Sequence, residues 1–306
     1  MKSLILNILI SSFLLACCFG NAIAGNTQSA VECVDNGDGF ATSSLFTFMI
    51  VGADEVAVTK GGEPDKKGQI FDIPAKVKIN GKTYRVTQIA DRAFAELYDK
   101  LVGVNLPDGI TYIGHGAFAN THITSIKLPD SLTDMGEAVF KSCGELQSCT
   151  LSAHLKTISV GTFNSCFKLS SITIPYNITC IDRYAFGFSA IKEIHLPAHL
   201  EYIGDEAFDG CPLERISLPN GLLYIGNFAF RNCKFLTSVA IPDKIRNINS
   251  GMFSGCRALT TVVLPGTLRN IWIEAFKGCE NLTSINVSGQ TKVWENAFEG
   301  CLKLKR

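Results

Sequence analysis

Phenylalanine recurs through this chain at a nearly constant interval. It stands at Phe94, Phe118, Phe140, Phe163, Phe186, Phe208, Phe230, Phe253, Phe276 and Phe298, always 22 to 24 residues apart. Alanine precedes it at Ala93, Ala117, Ala185, Ala207, Ala229, Ala275 and Ala297. Around each Phe the chain reads roughly L-x-x-I-x-x-x-A-F-x-x-C-x-x-L-x-x-I-x-L-P. A unit this short cannot bury its own apolar face. Stacked units can, and every position of the pattern then becomes a column along the stack. The expected fold is a repeat solenoid of about ten units, mainly β with short turns, begun by a small β cap.

Within each unit, the alternating stretch before the proline has the period of a strand. Ile126 and Leu128, Ile172 and Ile174, Ile194 and Leu196, Ile216 and Leu218, Val239 and Ile241, and Val262 and Leu264 are expected to point inward. Pro107, Pro129, Pro175, Pro197, Pro219, Pro242 and Pro265 close these strands, because proline has no N–H to extend a ladder. A second apolar pair follows, such as Leu222 with Ile225, and then the Ala-Phe turn, whose ring is expected between the layers.

Three residues after the Phe lies a column of cysteines: Cys143, Cys166, Cys211, Cys233, Cys256, Cys279 and Cys301. Thr121 and Ser189 take the same place in two units, so the column favours a small, weakly polar group. Parallel side chains one strand spacing apart (about 4.8 Å) do not present the dihedral a disulfide needs. A ladder of buried free thiols is expected, and neither a metal site nor a redox pair, since no CxxC-type or convergent spacing occurs.

The A-F-x-x-C-x-x-L-x-x-I-x-L-P unit resembles the BspA-like leucine-rich repeats, also called the Treponema pallidum type. The resemblance runs from about Gln88 to the C-terminus, over two thirds of the chain. It implies a leucine-rich-repeat, right-handed coil. It also implies a surface or secreted protein of the kind that binds host matrix or serum proteins, or mediates coaggregation between cells. Family members often begin with a Gly-Lys-Thr-Tyr-x-Val lead-in, matched here by Gly81 to Val86.

Three parts are expected: a leader at 1–24, or 1–16 if lipidated, a β cap region at 25–87, and the repeats at 88–306. Lys2 followed by the apolar stretch Leu4 to Phe19 has the layout of an export signal and is short for a membrane span. Two processing sites compete. Ala22-Ile23-Ala24 is a small-x-small cleavage site, whereas Leu14-Leu15-Ala16-Cys17 resembles a bacterial lipobox with Cys17 as the lipidated residue. The chain is thus expected to be exported, either secreted or anchored at the outer surface of a bacterium, with a lipid on Cys17 as its sole membrane contact. In the cap, strands are expected at 46–51, 56–59 and 70–73, and Asn80-Gly81 as a type I′ hairpin turn. At the far end, Lys303, Lys305 and Arg306 are placed to blunt an edge.

Charge and motif content narrow the chemistry. The 28 Lys and Arg balance 28 Asp and Glu, with no basic run, which argues against a nucleic-acid partner. Gly81-Lys82-Thr83 lacks the preceding glycine of a phosphate loop, the position holding Lys76. Asp35-Asn36-Gly37-Asp38-Gly39 lacks the spacing and closing Glu of a calcium loop. His115, His122, His154, His195 and His199 are scattered, and no nucleophile–base pair or cofactor fingerprint appears. The chain is not expected to be an enzyme or to need a cofactor.

A ligand is expected on the outward, concave side of the strand ladder. One outward column runs Asn105, Lys127, Thr150, Thr173, His195, Ser217, Ala240, Val263 and Asn286; its neighbour includes Glu193 and Arg215. Both are small and hydroxyl-rich, charged chiefly around Glu193, His195 and Arg215, and contain no aromatic. The candidate binding residues are Lys127, Glu193, His195, Arg215, Ser217 and Asn286, and the expected partner is a surface or matrix protein of a host or neighbouring cell. A surface lipoprotein capturing a glycan or peptide for nutrient uptake is the competing expectation.

Overall fold

The computed structural model describes residues 29–62, 66–95 and 97–305, and the leader with Cys17 lies outside them. The described chain is mainly β, with short turns and no α-helix among those residues. The repeat is plain in its hydrogen bonding, because successive units pair through parallel strands offset by one unit. Ser125–Lys127 pairs with Ser148–Thr150, Glu193–Ile194 with Arg215–Ile216, and Ser238–Ala240 with Thr261–Val263. These strands are the stretches expected before each proline, and they alternate as expected. Ile126, Ile194, Val239 and Val262 are buried, while Lys127, Glu193, Arg215 and Val263 are exposed.

A second ladder, which the sequence pattern shows as an apolar pair, lies between the proline and the Phe. It is two residues deep: Thr157–Ile158, Cys180–Ile181, Tyr202–Ile203 and Tyr224–Ile225 form one parallel sheet, and Asn247–Ile248, Asn270–Ile271 and Lys292–Val293 another. A third column of hydrogen bonds runs through the turns. Each repeat Phe donates its N–H to the residue before the next Phe, from Phe94 to Ala117 at 2.8 Å through to Phe276 to Ala297 at 2.8 Å. Aiming those amides along the stack forces the second residue before each Phe into the left-handed region. Bulky Arg92, Tyr184, Glu206 and Phe228 adopt it at φ 55° to 57°. A left-handed non-glycine residue costs about 1–2 kcal/mol, offset here by inter-unit hydrogen bonds on either side of it.

The Phe column is the spine of the core. Rings from Phe94 to Phe276 are fully buried, and consecutive rings stack with centroids 5.2 to 5.6 Å apart. Beside them, each column thiol donates to the Phe carbonyl of the preceding unit: Cys143 to Phe118 at 3.1 Å, Cys166 to Phe140 at 3.2 Å, Cys211 to Phe186 at 3.0 Å and Cys233 to Phe208 at 3.3 Å. Cys256, Cys279 and Cys301 repeat the bond to Phe230, Phe253 and Phe276. The column takes a small side chain with one donor, and Thr121 fills it through a different bond, donating to the Phe118 carbonyl of its own unit at 2.8 Å. All ten described cysteines are free.

The N-terminal region folds as a closed sheet that merges with the stack. Strands β1 (Val31–Asp35), β2 (Phe40–Thr42), β3 (Phe46–Ile50), β4 (Glu55–Gly61), β5 (Gln69–Asp72), β6 (Lys76–Ile79) and β7 (Lys82–Ile89) lead into β8 (Leu101–Asn105) and β9 (Tyr112–Ile113). The order β7-β4-β3-β2-β1-β6 is closed by a β6–β7 hairpin at Asn80-Gly81, both with positive φ as a type I′ turn requires. Each repeat ladder then receives a rung from this region: β4 pairs with β7, which pairs with β9, and β5 pairs with β8. Strand β7 crosses the boundary expected at residues 87 and 88. Phe46 and Phe71 continue the aromatic core beyond Phe94, with edge-on and tilted contacts at 6.3 and 6.2 Å.

Candidate binding groove

Two consecutive units depart from the regular loop. In most units the column Cys opens a four-residue turn, closed by the N–H of the inward Leu on the Cys carbonyl. Leu146 to Cys143 measures 3.0 Å, Leu169 to Cys166 3.0 Å and Leu236 to Cys233 3.1 Å. The stretches Ser189-Ala190-Ile191 and Cys211-Pro212-Leu213 have one residue fewer, so this turn cannot form. Ile191 and Leu213 are nonetheless fully buried. The core keeps its register and the surface absorbs the deletion. Thr121-His122-Ile123 carries the same shortening in isolation; only at Ser189 and Cys211 does it occur in neighbouring units.

Over these two units the strand face holds an open groove of about 660 Å³. Glu193, His195, Arg215 and Ser217 line it, with Asn220 and Ser238 at its margins. Glu193 and Arg215 are paired in register on adjacent strands, and all four side chains first named are exposed. No hydrogen bond or ion pair within the described residues occupies them, whereas nearby charges are engaged: Lys192 faces Glu214 at 3.9 Å, and Arg231 binds Glu206 at 2.5 Å and Asp209 at 2.6 Å. Two unlike charges held on one rigid ladder without pairing leave hydrogen-bonding capacity for an incoming molecule.

The structure thus brings together four of the six residues singled out from the sequence. Lys127 and Asn286 are exposed in the same outward column but lie units away, on Ser125–Lys127 and just past Ser284–Ile285, and do not line the groove. Aromatic surface exists outside the two columns. Tyr202 and Tyr224 stack at 5.1 Å on the second ladder, each 37% exposed. Tyr176 stands edge-on to His199 with centroids 4.6 Å apart and is hydrogen-bonded to its ring. The tyrosines were visible in the sequence, but assigning them to a shared face needs the second ladder.

The titratable groups inside the stack are insulated. Burial pushes the Cys143 thiol up to about 11 and the Cys211 thiol up to about 12, so neither supplies a nucleophile near neutrality. Among the described residues no cluster of three or more His, Cys, Asp or Glu is arranged to hold a metal.

Parallel β ladders stacked unit on unit, with an open groove on the strand face, are the architecture of a leucine-rich-repeat protein. A model of the BspA type leucine rich repeat region matches residues 87–211 and 179–305, and the chain belongs to this family. It is similar to a leucine-rich repeat protein of Bacteroides ovatus at 22% identity, covering 86% of this chain and 93% of that one, with a TM-score of 0.55. It is also similar to the pneumococcal vaccine antigen PcpA at 17% identity, covering 87% of this chain and 80% of that one, with a TM-score of 0.53. A leucine rich cell surface protein of Faecalibacterium prausnitzii shares 23% identity over 87% of this chain and 93% of that one, with a TM-score of 0.48. These likenesses are of fold. No curated protein matches the sequence.

Proposed function

We propose that this chain is an exported, non-enzymatic interaction module, adhesin-like, that binds a surface or matrix protein of a host or neighbouring cell. In this reading the ten units form one right-handed solenoid, and the groove on its strand face is the binding site. The observation that carries it is the convergence of unpaired Glu193, His195, Arg215 and Ser217 on one open groove of about 660 Å³. Exposed charges of both signs on a rigid scaffold favour electrostatic complementarity with a protein surface, which contributes specificity and association rate. Membership of the BspA-type family supports the surface setting, and PcpA, to which the chain is similar in fold, is a pneumococcal vaccine antigen.

A binding screen of the chain from Gly25 onward against immobilised matrix and serum proteins tests this. Saturable binding lost in the double variant Glu193→Lys, Arg215→Glu supports the reading and locates the face. Because neither side chain has a partner in the fold, the variant keeps its stability. Protein binding indifferent to the double variant sinks the assignment of the groove. Capture of a glycan or peptide for nutrient uptake is the second reading, favoured by the half-exposed Tyr202–Tyr224 stack, since aromatic faces suit sugar rings. A glycan array run alongside decides between them.

A further inference from the structure

A second open cavity, of about 390 Å³, is lined by Phe188, by the shortened loop Gly210-Cys211-Pro212 and by Asn232, Lys234 and Phe235 of the next unit. Gly210 and Pro212 stand at the loop that is one residue short, where the four-residue turn of the regular units is absent. Phe188 and Phe235 flank the cavity. Phe188 holds a left-handed conformation at φ 58° and lies against Gly210, where an added Cβ would come 2.7 Å from the Phe188 ring. Phe235 is turned outward because Leu236 takes the inward place. The two residues are 45% and 59% exposed. A single exposed Phe is ordinary on a protein surface; two converging on one concavity mark a docking place. The exposed Lys234 stands at the rim.

Slot and groove share the same two segments of chain. Pro212 in the slot is three residues from Arg215 in the groove, and Phe235 is three residues from Ser238. Three residues span at most about 10–11 Å, so one extended segment reaches both. An apolar pocket next to charged groups is the usual layout of an interface hot spot, in which a large side chain is buried and polar contacts surround it. Two exposed cations without an ion-pair partner among the described residues, Lys234 in the slot lining and Arg215 three residues from Pro212, favour carboxylates beside that side chain, and the intervening Glu214 is faced by Lys192 at 3.9 Å.

From this geometry we infer that the partner engages as an extended protein segment, placing one aromatic or large aliphatic side chain between Phe188 and Phe235 and carboxylates against Lys234 and Arg215. The inference deepens the binding reading above and rests on it. The probes are synthetic decapeptides with one Trp and Asp residues three and four positions away, with Trp→Ala and Asp→Lys peptides as controls. Each is titrated into the full mature chain, and methyl β-glucoside is run as a sugar probe. The Trp-Asp peptide is expected to bind saturably, with affinity falling at least tenfold in Phe235→Ala and about threefold in Arg215→Glu, while Phe235→Ala leaves the thermal unfolding midpoint unchanged.

Absence of peptide binding, or equal binding to Phe235→Ala, overturns the slot. Loss in Phe235→Ala with indifference to Arg215→Glu overturns the shared footprint, and glucoside competing for the slot replaces the side chain with a sugar ring. The groove assignment fails on a different result, namely capture of a whole protein that ignores the charge reversals at Glu193 and Arg215.

Discussion

The units from Phe186 to Phe230 and those from Phe230 to Phe276 share one core and differ at their surface. In both stretches the Phe rings are fully buried and stack at 5.4 to 5.5 Å, and the column thiols donate to the preceding Phe carbonyl at 3.0 to 3.3 Å. The first stretch lacks one loop residue per unit and carries most of the groove, while the slot lies where it meets the second and takes Phe235 from it; the second closes the four-residue turn, with Leu259 on Cys256 at 3.1 Å. A stacked repeat therefore separates its tasks. The columns that hold neighbouring units together keep their register, while a loop outside them can lose a residue without disturbing the stack.

If the cores are equivalent, Phe208→Ala and Phe253→Ala should cost the same, about 3–5 kcal/mol each, in urea unfolding followed by circular dichroism. A Phe208→Ala penalty below the usual range of about 3–5 kcal/mol, with Phe253→Ala inside it, would mean that the short units are already loosely packed, and the comparison breaks. Gly210 and Gly278 sharpen it. Both hold positive φ, 72° and 69°, but a Cβ at Gly210 meets the Phe188 ring at 2.7 Å, whereas at Gly278 the nearest atom is 3.9 Å away. Gly278→Ala should cost about 1 kcal/mol in backbone strain, and Gly210→Ala more, with Phe188 displaced. Equal losses at the two sites argue that Phe188 does not rest on Gly210.

Alkaline titration probes the thiol column in both stretches. A thiol raised on folding stays protonated while its unfolded counterpart ionises near pH 9, so its stabilising contribution is complete below about pH 9 and declines above it. With the Cys211 thiol held up at about 12, that decline amounts to about 1.4 kcal/mol at pH 10. Cys211→Ser in the short stretch and Cys256→Ser in the regular one should each flatten the pH dependence of unfolding. A profile unaltered by both substitutions rules out the thiols as its source.

The smallest expected effect on stability is the most direct test of the loop. Inserting one Lys between Pro212 and Leu213 restores the C-x-x-L length, and loop lengthening of this kind shifts stability by less than about 1 kcal/mol. Binding through the groove and slot should nevertheless be lost. Retained binding in the insertion variant would detach the site from the shortened loop.

Much of this architecture is legible in the residues themselves. The Phe period, the strands ending at proline, the buried cysteine column and the Asn80-Gly81 hairpin follow from side chains whose size, hydrogen-bonding or φ preference leaves few alternatives. Glu193, His195, Arg215 and Ser217 could be named for the same reason, since strand alternation places them outward. The second ladder was less legible because two-residue strands such as Tyr202–Ile203 are too short for an alternation to register. The left-handed column was hidden altogether, because Arg92, Tyr184 and Phe228 do not favour that conformation and take it only to direct amides at the next unit.

By itself, then, the sequence determined a stacked β repeat with an aromatic and thiol core, because identical short units that cannot bury their own apolar faces have stacking as their common solution. Tertiary structure decided where that stack is open. The omissions at Ser189-Ala190-Ile191 and Cys211-Pro212-Leu213 are visible in the chain, but a missing residue has no surface consequence until neighbouring units are set side by side and the core is seen to hold its register. The groove and the Phe188–Phe235 slot belong to that arrangement between units, and no single unit contains them.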